Sequence, residues 1–245
     1  MPGALAWAGL LAAALIGSTV GGVAGFGAGL VLLPTLVWAV GTKATIPTLT
    51  VTMALGNLSR LWWSRREINW GVVGAFLAGA VPAVALGAIT YAGSKAEALK
   101  RIIGGFLLAS VPLRRWLVAR DVRVRLAHFP LVGGFFGFLS ALVATVGPLI
   151  TPFFLGYGLR RGSYLATESL CALGMHITRG IVFQRYALLT QDTVTVGLTL
   201  GAVMFAGSYA GRRIVDRMSE QTFLLAIEGL LVLIGAYLLL WPSRS

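Results

Sequence analysis

Five glycines fall within nine residues, at Gly21, Gly22, Gly25, Gly27 and Gly29, with Pro34 following. Gly21, Gly25 and Gly29 recur every fourth residue, which places them on one helical face and suits close packing of helices in a membrane. Each glycine also weakens a helix by about 1 kcal/mol relative to alanine, so a helix broken here is the second reading. Backbone broken at membrane depth survives only where it is buried or lines a cavity. The N–H groups of the next half-helix then face that cavity and can hold an anion. A poorer copy of the pattern stands at Ala144-Thr145-Val146-Gly147-Pro148, ahead of Pro152. Proline is favoured in the first turn of a helix, so Pro148 marks a second half-helix start. Two such N-termini meeting near the midplane would bind a small anion with few charged side chains, through Gly25, Gly27, Gly29, Thr145 and Gly147.

The apolar segments that follow these two places carry the polar side chains. The first has Thr45, Thr48, Thr50, Thr52, Asn57 and Arg60; the second has Thr167, Glu168, Ser169, Cys171, His176, Thr178 and Arg179. Ionisable groups at such depth are functional candidates by default. Asn57, Arg60, His176 and Arg179 are therefore candidate side-chain ligands, although both arginines sit close enough to segment ends to snorkel to the interface. The threonines can satisfy themselves on their own backbone. Asn57 must find a partner, since an amide in lipid is costly unpaired. Glu168 and Glu228 are candidates for proton coupling, with an internal bond such as Glu168 to His176, or Glu228 to an arginine, as the plainer reading. No H-E-x-x-H, G-x-S-x-G or phosphate-binding loop occurs, and two histidines with one cysteine make no convincing metal cluster. Neither a catalytic centre, a metal nor a cofactor is expected.

The elements that must position these groups follow from composition. Of 245 residues, 57% are hydrophobic and 11% charged, against roughly 45–50% and about 25% in a soluble domain. Mean hydropathy is +0.85 and there is a single cysteine, Cys171, so neither disorder nor a disulfide scaffold fits. Residues 1–42, 68–94, 126–159 and 193–211 hold no Asp, Glu, Lys or Arg. The net charge of +12 thus lies, with few exceptions, in the gaps between apolar runs. It reads as membrane topology and not as a nucleic-acid surface.

Ten apolar segments result, at about 4–20, 24–40, 44–63, 70–92, 97–113, 129–143, 146–158, 163–184, 191–211 and 221–241. The shortest, 129–143 and 146–158, could be half-helices that enter and return. All seven tryptophans fall near segment ends, where the headgroups would lie. A shift of 118 residues matches Gly29 with Gly147, Pro34 with Pro152 and Ala54-Leu55-Gly56 with Ala172-Leu173-Gly174. A shift of 124 then matches Gly87 with Gly211 and Gly105 with Gly229. Five segments per half is odd, so the halves enter from opposite sides as inverted-topology repeats. With Arg114 to Arg125 in the cytoplasm, 13 of the 20 basic residues lie inside and both termini outside. The organisation expected is all-α: a first membrane repeat over 1–113, a basic cytoplasmic linker over 114–127, and a second repeat over 128–245, with glycine-broken helices at the interface.

Gly22-Val23-Ala24-Gly25-Phe26-Gly27-Ala28-Gly29-Leu30 with Pro34, the second copy near Gly147 and Pro152, and two halves in about 250 residues together resemble the sulfite exporter TauE/SafE family. The second motif departs from the pattern, because Val143-Ala144-Thr145-Val146-Gly147 lacks most of the glycines. The resemblance implies a multi-pass transporter in the cytoplasmic (inner) membrane that exports sulfite, thiosulfate or organosulfonates. The partners expected are such an anion, the lipid bilayer and protons as a coupling ion; a homo-oligomer stays open beside a monomer. An anion channel and a non-transporting scaffold or assembly protein are the alternatives.

Overall fold

The computed structural model describes residues 2–24, 28–120, 122–143 and 145–215, with Gly229, Val232 and Ala236 beyond them. Among the described residues the chain is helical: α1 (Ala4–Ala24), α2 (Ala28–Val40), α3 (Thr42–Ser64), α4 (Trp70–Gly93), α5 (Ala96–Ala119), α6 (Phe129–Val143), α7 (Gly147–Gly156), α8 (Arg161–Arg185) and α9 (Gln191–Val215). The tenth expected segment, 221–241, lies outside the described residues apart from those last three. So do Gly25, Gly27 and Glu228.

Three stretches are long and apolar enough to cross a bilayer: Trp70–Gly93, Ala96–Ala119 and Leu126–Val143. By contrast α2 and α7 have 13 and 10 residues, too few at 1.5 Å per residue to span the hydrocarbon core. Each instead folds back on its predecessor. Gly9 of α1 faces Thr35 and Trp38 of α2, Gly17 faces Ala28, and Pro2 lies beside Ala39 and Val40, so both outer ends of this hairpin share one end of the bundle. The α6–α7 hairpin enters from the other end. Phe129 packs edge-on against Phe154 and Tyr157, Phe136 against Phe153, and the Val124 N–H donates to the Gly156 carbonyl at 3.2 Å.

That second end also gathers the basic loops. The 3₁₀ turn Arg65–Glu67 abuts the start of α8, where a Cβ on Gly162 would strike the Glu67 carboxylate, and Leu126 lies beside Gly71 at the start of α4. Arg65, Arg66, Arg123, Arg125 and Arg160 are carried there on short connections. The basic stretch is not wholly a linker: α5 continues through Arg114, Arg115 and Trp116 to Ala119 before the chain turns.

Close backbone approach governs the packing. Gly79 and Gly87 of α4 meet carbonyls of Pro130 and Phe138, and Gly133 and Gly137 of α6 meet carbonyls of Phe76 and Ala80, so a Cβ at any of the four would collide. Small residues let backbones approach where the surrounding lipid gives no hydrophobic drive. The packed pairs are α4 with α6, α1 with α9, α3 with α8, α3 with α9, and α4 with α8. Large apolar side chains such as Leu86, Leu131, Phe135, Ile177 and Ile181 point outward, the inverse of a soluble domain.

Pro47 inside α3 cannot donate to the carbonyl of Lys43. The Tyr91 hydroxyl of α4 takes that place, donating to Lys43 O at 3.1 Å and to Thr42 O at 3.0 Å. The Lys43 ammonium in turn donates to Ala92 O and Ser94 O at the C-terminal end of α4, where a cation favours the helix dipole.

Candidate functional site

The tips of the two hairpins meet. A Cβ on Gly29, in the first turn of α2, would lie 3.6 Å from Cβ of Thr145, just before α7. Around this meeting is a cavity of about 60 Å³, lined by Ala28, Gly29, Met53, Asn57, Arg60, Ser140, Thr145, Val146, Gly147, Glu168, Ala172, Met175 and His176. That is room for a few waters or one small oxyanion. The first turns of α2 and α7 border it, as a site of backbone donors requires. A larger hollow of about 330 Å³ at the far end, beside Thr190 and Thr193, has Asp192 as the one charged lining residue among the described residues. Its sign is wrong for an anion.

Two arginine stations flank the cavity on the antiparallel pair α3–α8. Arg60 donates through Nε to the Ser169 hydroxyl at 3.2 Å and through Nη2 to Asn57 Oδ1, one turn back. Arg179 donates through Nε to the Thr50 hydroxyl at 2.8 Å, through Nη1 to the Ser140 carbonyl, and through Nη2 to His176 Nδ1 at 2.6 Å, again one turn back. Guanidinium has no acceptor, so Nδ1 of His176 must present its lone pair and the ring proton sits on Nε2. His176 is thereby held as an N–H donor. The Asn57 amide is anchored by Nδ2 to Met53 O at 2.8 Å.

Of the candidates among the described residues, Gly29, Asn57, Arg60, Thr145, Gly147, His176 and Glu168 line one cavity, and Arg179 stands behind His176 without lining it. Gly25, Gly27 and Glu228 fall outside those residues. Snorkelling does not occur for Arg179, which is 1% exposed; its hydrogen bonds to three neighbouring groups hold it inward. Glu168 does not pair with His176. Its Oε2 lies 4.0 Å from Nη2 of Arg60, and no hydrogen bond reaches that oxygen among the described residues.

Thr45, Thr48, Thr50 and Thr52 all donate to the carbonyl four residues back, so most of the threonine signal is local. Thr50 does both: its hydroxyl donates to Ile46 O and accepts from Arg179. Thr167 accepts the Asn69 N–H at 3.0 Å, and Asn69 caps α4 by accepting from Val72 N–H. Ser140, absent from the candidates, contributes the carbonyl that holds Arg179. The available signal was a lone serine near the end of an apolar run. Among the described residues no three His, Cys, Asp or Glu side chains gather as a metal site.

Two apolar hairpins, each with one arm too short to cross a bilayer, meet beside membrane-length helices around a cavity that Arg60 lines and Arg179 backs, and define an α-helical membrane protein with an internal polar site. The family model for the sulfite exporter TauE/SafE matches residues 10–238, and the chain belongs to that family of membrane transporters. No curated protein and no solved structure matches the chain.

Proposed function

We propose that the protein is a multi-pass secondary transporter of the cytoplasmic (inner) membrane that exports a small sulfur-containing oxyanion or sulfonate, bound between the hairpin tips. One observation carries this reading: the cavity at the tips is flanked by two arginine stations built alike on α3 and α8. Thr50, Asn57 and Arg60 correspond to Ser169, His176 and Arg179 at a constant offset of 119 residues. Each arginine reaches the hydroxyl of the opposite helix and a side chain three residues back on its own. That offset differs by one residue from the 118 of the Ala54-Leu55-Gly56 match; within two continuous helices the registers are alternatives, and the hydrogen-bonded side chains favour 119.

The packing of the longer helices supports the same exchange of halves, although the hairpins differ, α1 packing far more closely on α2 than α6 on α7. If α1 to α4 correspond to α6 to α9, then α1 on α9 answers α6 on α4, α3 on α9 answers α8 on α4, and α3 on α8 maps onto itself. The hairpins enter from opposite ends, as inverted repeats do. Alternating access then arises from one half rocking against the other around a fixed midplane site. Backbone N–H groups, the His176 N–H and Arg60 supply donors for the anion.

The test is current from purified protein in liposomes on a solid support, challenged with sulfite, thiosulfate, sulfoacetate and taurine, with acetate and chloride as controls. Saturable responses confined to the sulfur compounds are expected. Flux that does not saturate identifies a channel instead. Electrical silence together with no ligand-induced thermal stabilisation, and a stable protein partner on purification, identifies a scaffold.

A further inference from the structure

Glu168 breaks the correspondence of the two stations. At the offset of 119 its counterpart is Leu49, which is fully buried and has nothing to ionise. Glu168 lines the cavity, is 7% exposed, and leaves Oε2 without a hydrogen bond among the described residues. A buried carboxylate oxygen in that condition is costly, and an internal cavity is where its partner would bind.

The chemistry of the partner follows from sign and hydrogen-bond type. A sulfonate or sulfur oxyanion offers only acceptors, and an ionised carboxylate is also acceptor-only. Placed together, the two repel. Arg60, 4.0 Å from Glu168, is moreover neutralised by it, so the cavity with ionised Glu168 presents a cancelled pair to an arriving anion. One proton resolves both conflicts: the carboxyl becomes a donor to an anion oxygen, and the charge of Arg60 is released for the anion.

We propose that Glu168 takes up one proton together with the anion, and that the two cross the membrane as a unit. This rests on the anion-transport reading above. The proton adds to a Glu168 carboxylate oxygen from water on the loading side and returns to water on the release side; no covalent bond to the anion forms or breaks. Among the described residues the titratable and charged groups around Glu168 are Arg60 from α3, Tyr164, Cys171 and His176 from its own helix, and Arg179 behind His176. Tyr91 of α4 packs toward the Arg179 end, and Glu67 meets the start of α8 at Gly162. The lining residues from α2, α6, α7 and Thr145-Val146 add no titratable side chain.

The experiment uses full-length protein in liposomes filled with a pH-sensitive dye, with thiosulfate or sulfoacetate gradients and no initial pH gradient. Thiosulfate carries no proton of its own near neutral pH, so with the membrane potential clamped by valinomycin and equal potassium on both sides, a proton that moves with it is carried by the protein. Wild type should move protons down the anion gradient. Glu168→Gln should keep anion-induced thermal stabilisation yet lose anion-driven proton movement at least tenfold. Glu168→Asp should retain coupling with a displaced pH profile, and it decides the matter alongside wild type if the glutamine variant does not fold. Thiosulfate flux without protons in wild type, or undiminished proton movement in Glu168→Gln, overturns the proposal while leaving anion transport standing. A wild type that neither binds nor moves any of the four sulfur compounds overturns the transport reading itself.

Discussion

The Arg60 and Arg179 stations share one plan and differ in what surrounds it. Arg60 lines the cavity, has Glu168 as a counter-ion at 4.0 Å, and is not fully buried. Arg179 is 1% exposed, forms no ion pair among the described residues, and spends its guanidinium on Thr50, Ser140 and His176. Burying a cation on neutral acceptors is expensive, and such a group persists where its position does something. Arg179 thus holds His176 and the α6 tip in place, and on the proposed anion-transport reading Arg60 is the one left to meet the ligand. Two stations built alike present one fixed guanidinium and one that faces the cavity.

The largest expected effect comes from Arg179→Ala, which strips three buried groups of their donor at about 1–3 kcal/mol each. Thermal unfolding in detergent should fall sharply and flux should vanish. Arg179→Lys, which keeps the charge but not the planar fork, should lose flux with a smaller fall in stability. If Arg60→Ala proves as destabilising as Arg179→Ala, the division of labour between the stations is wrong.

Next comes the hairpin meeting point. Gly29→Leu places side-chain carbons where Met53 and Thr145 lie 3.6 Å from a Cβ, so it fills the cavity. Membrane insertion should be retained while saturable current is lost; normal current in this variant would remove the ligand from the tips.

Arg60→Gln should fold, since Arg60 is itself not fully buried and glutamine keeps an amide donor toward Asn57 and Ser169, and should weaken anion affinity by about 10- to 100-fold, the worth of one charged hydrogen bond of about 1.5–3 kcal/mol. Isothermal or fluorescence titration with thiosulfate measures it. An unchanged affinity would move the recognition role to His176 and the backbone. The smallest effect is expected for Asn57→His, which makes the first station like the second. A change of about 1 kcal/mol or less in stability, read from the unfolding midpoint, would sharpen the correspondence of the two positions.

Much of the site was legible because its signals were chemical anomalies. Glycines clustered in an apolar run, a proline after a glycine, and ionisable residues far from segment ends each demand an explanation in lipid, whatever the fold. Four such residues, Gly29, Gly147, Glu168 and His176, converge on one cavity, joined there by Asn57, Arg60 and Thr145. The threonines were less informative, since an i−4 carbonyl satisfies them and the sequence cannot distinguish Thr50, which also receives Arg179, from Thr48, which does not.

The sequence by itself determined the helical class, the membrane family and, among the described residues, most of the places where helices begin, because these depend on composition and on local backbone chemistry. Which partners meet was decided by the tertiary structure. Glu168 lies against Arg60 and not His176, Arg179 turns inward and not to the interface, and α6–α7 returns to the end it entered. Each of these depends on how α3 and α8 cross and how closely glycines let backbones approach, and such distances between remote segments are written in no local run of residues.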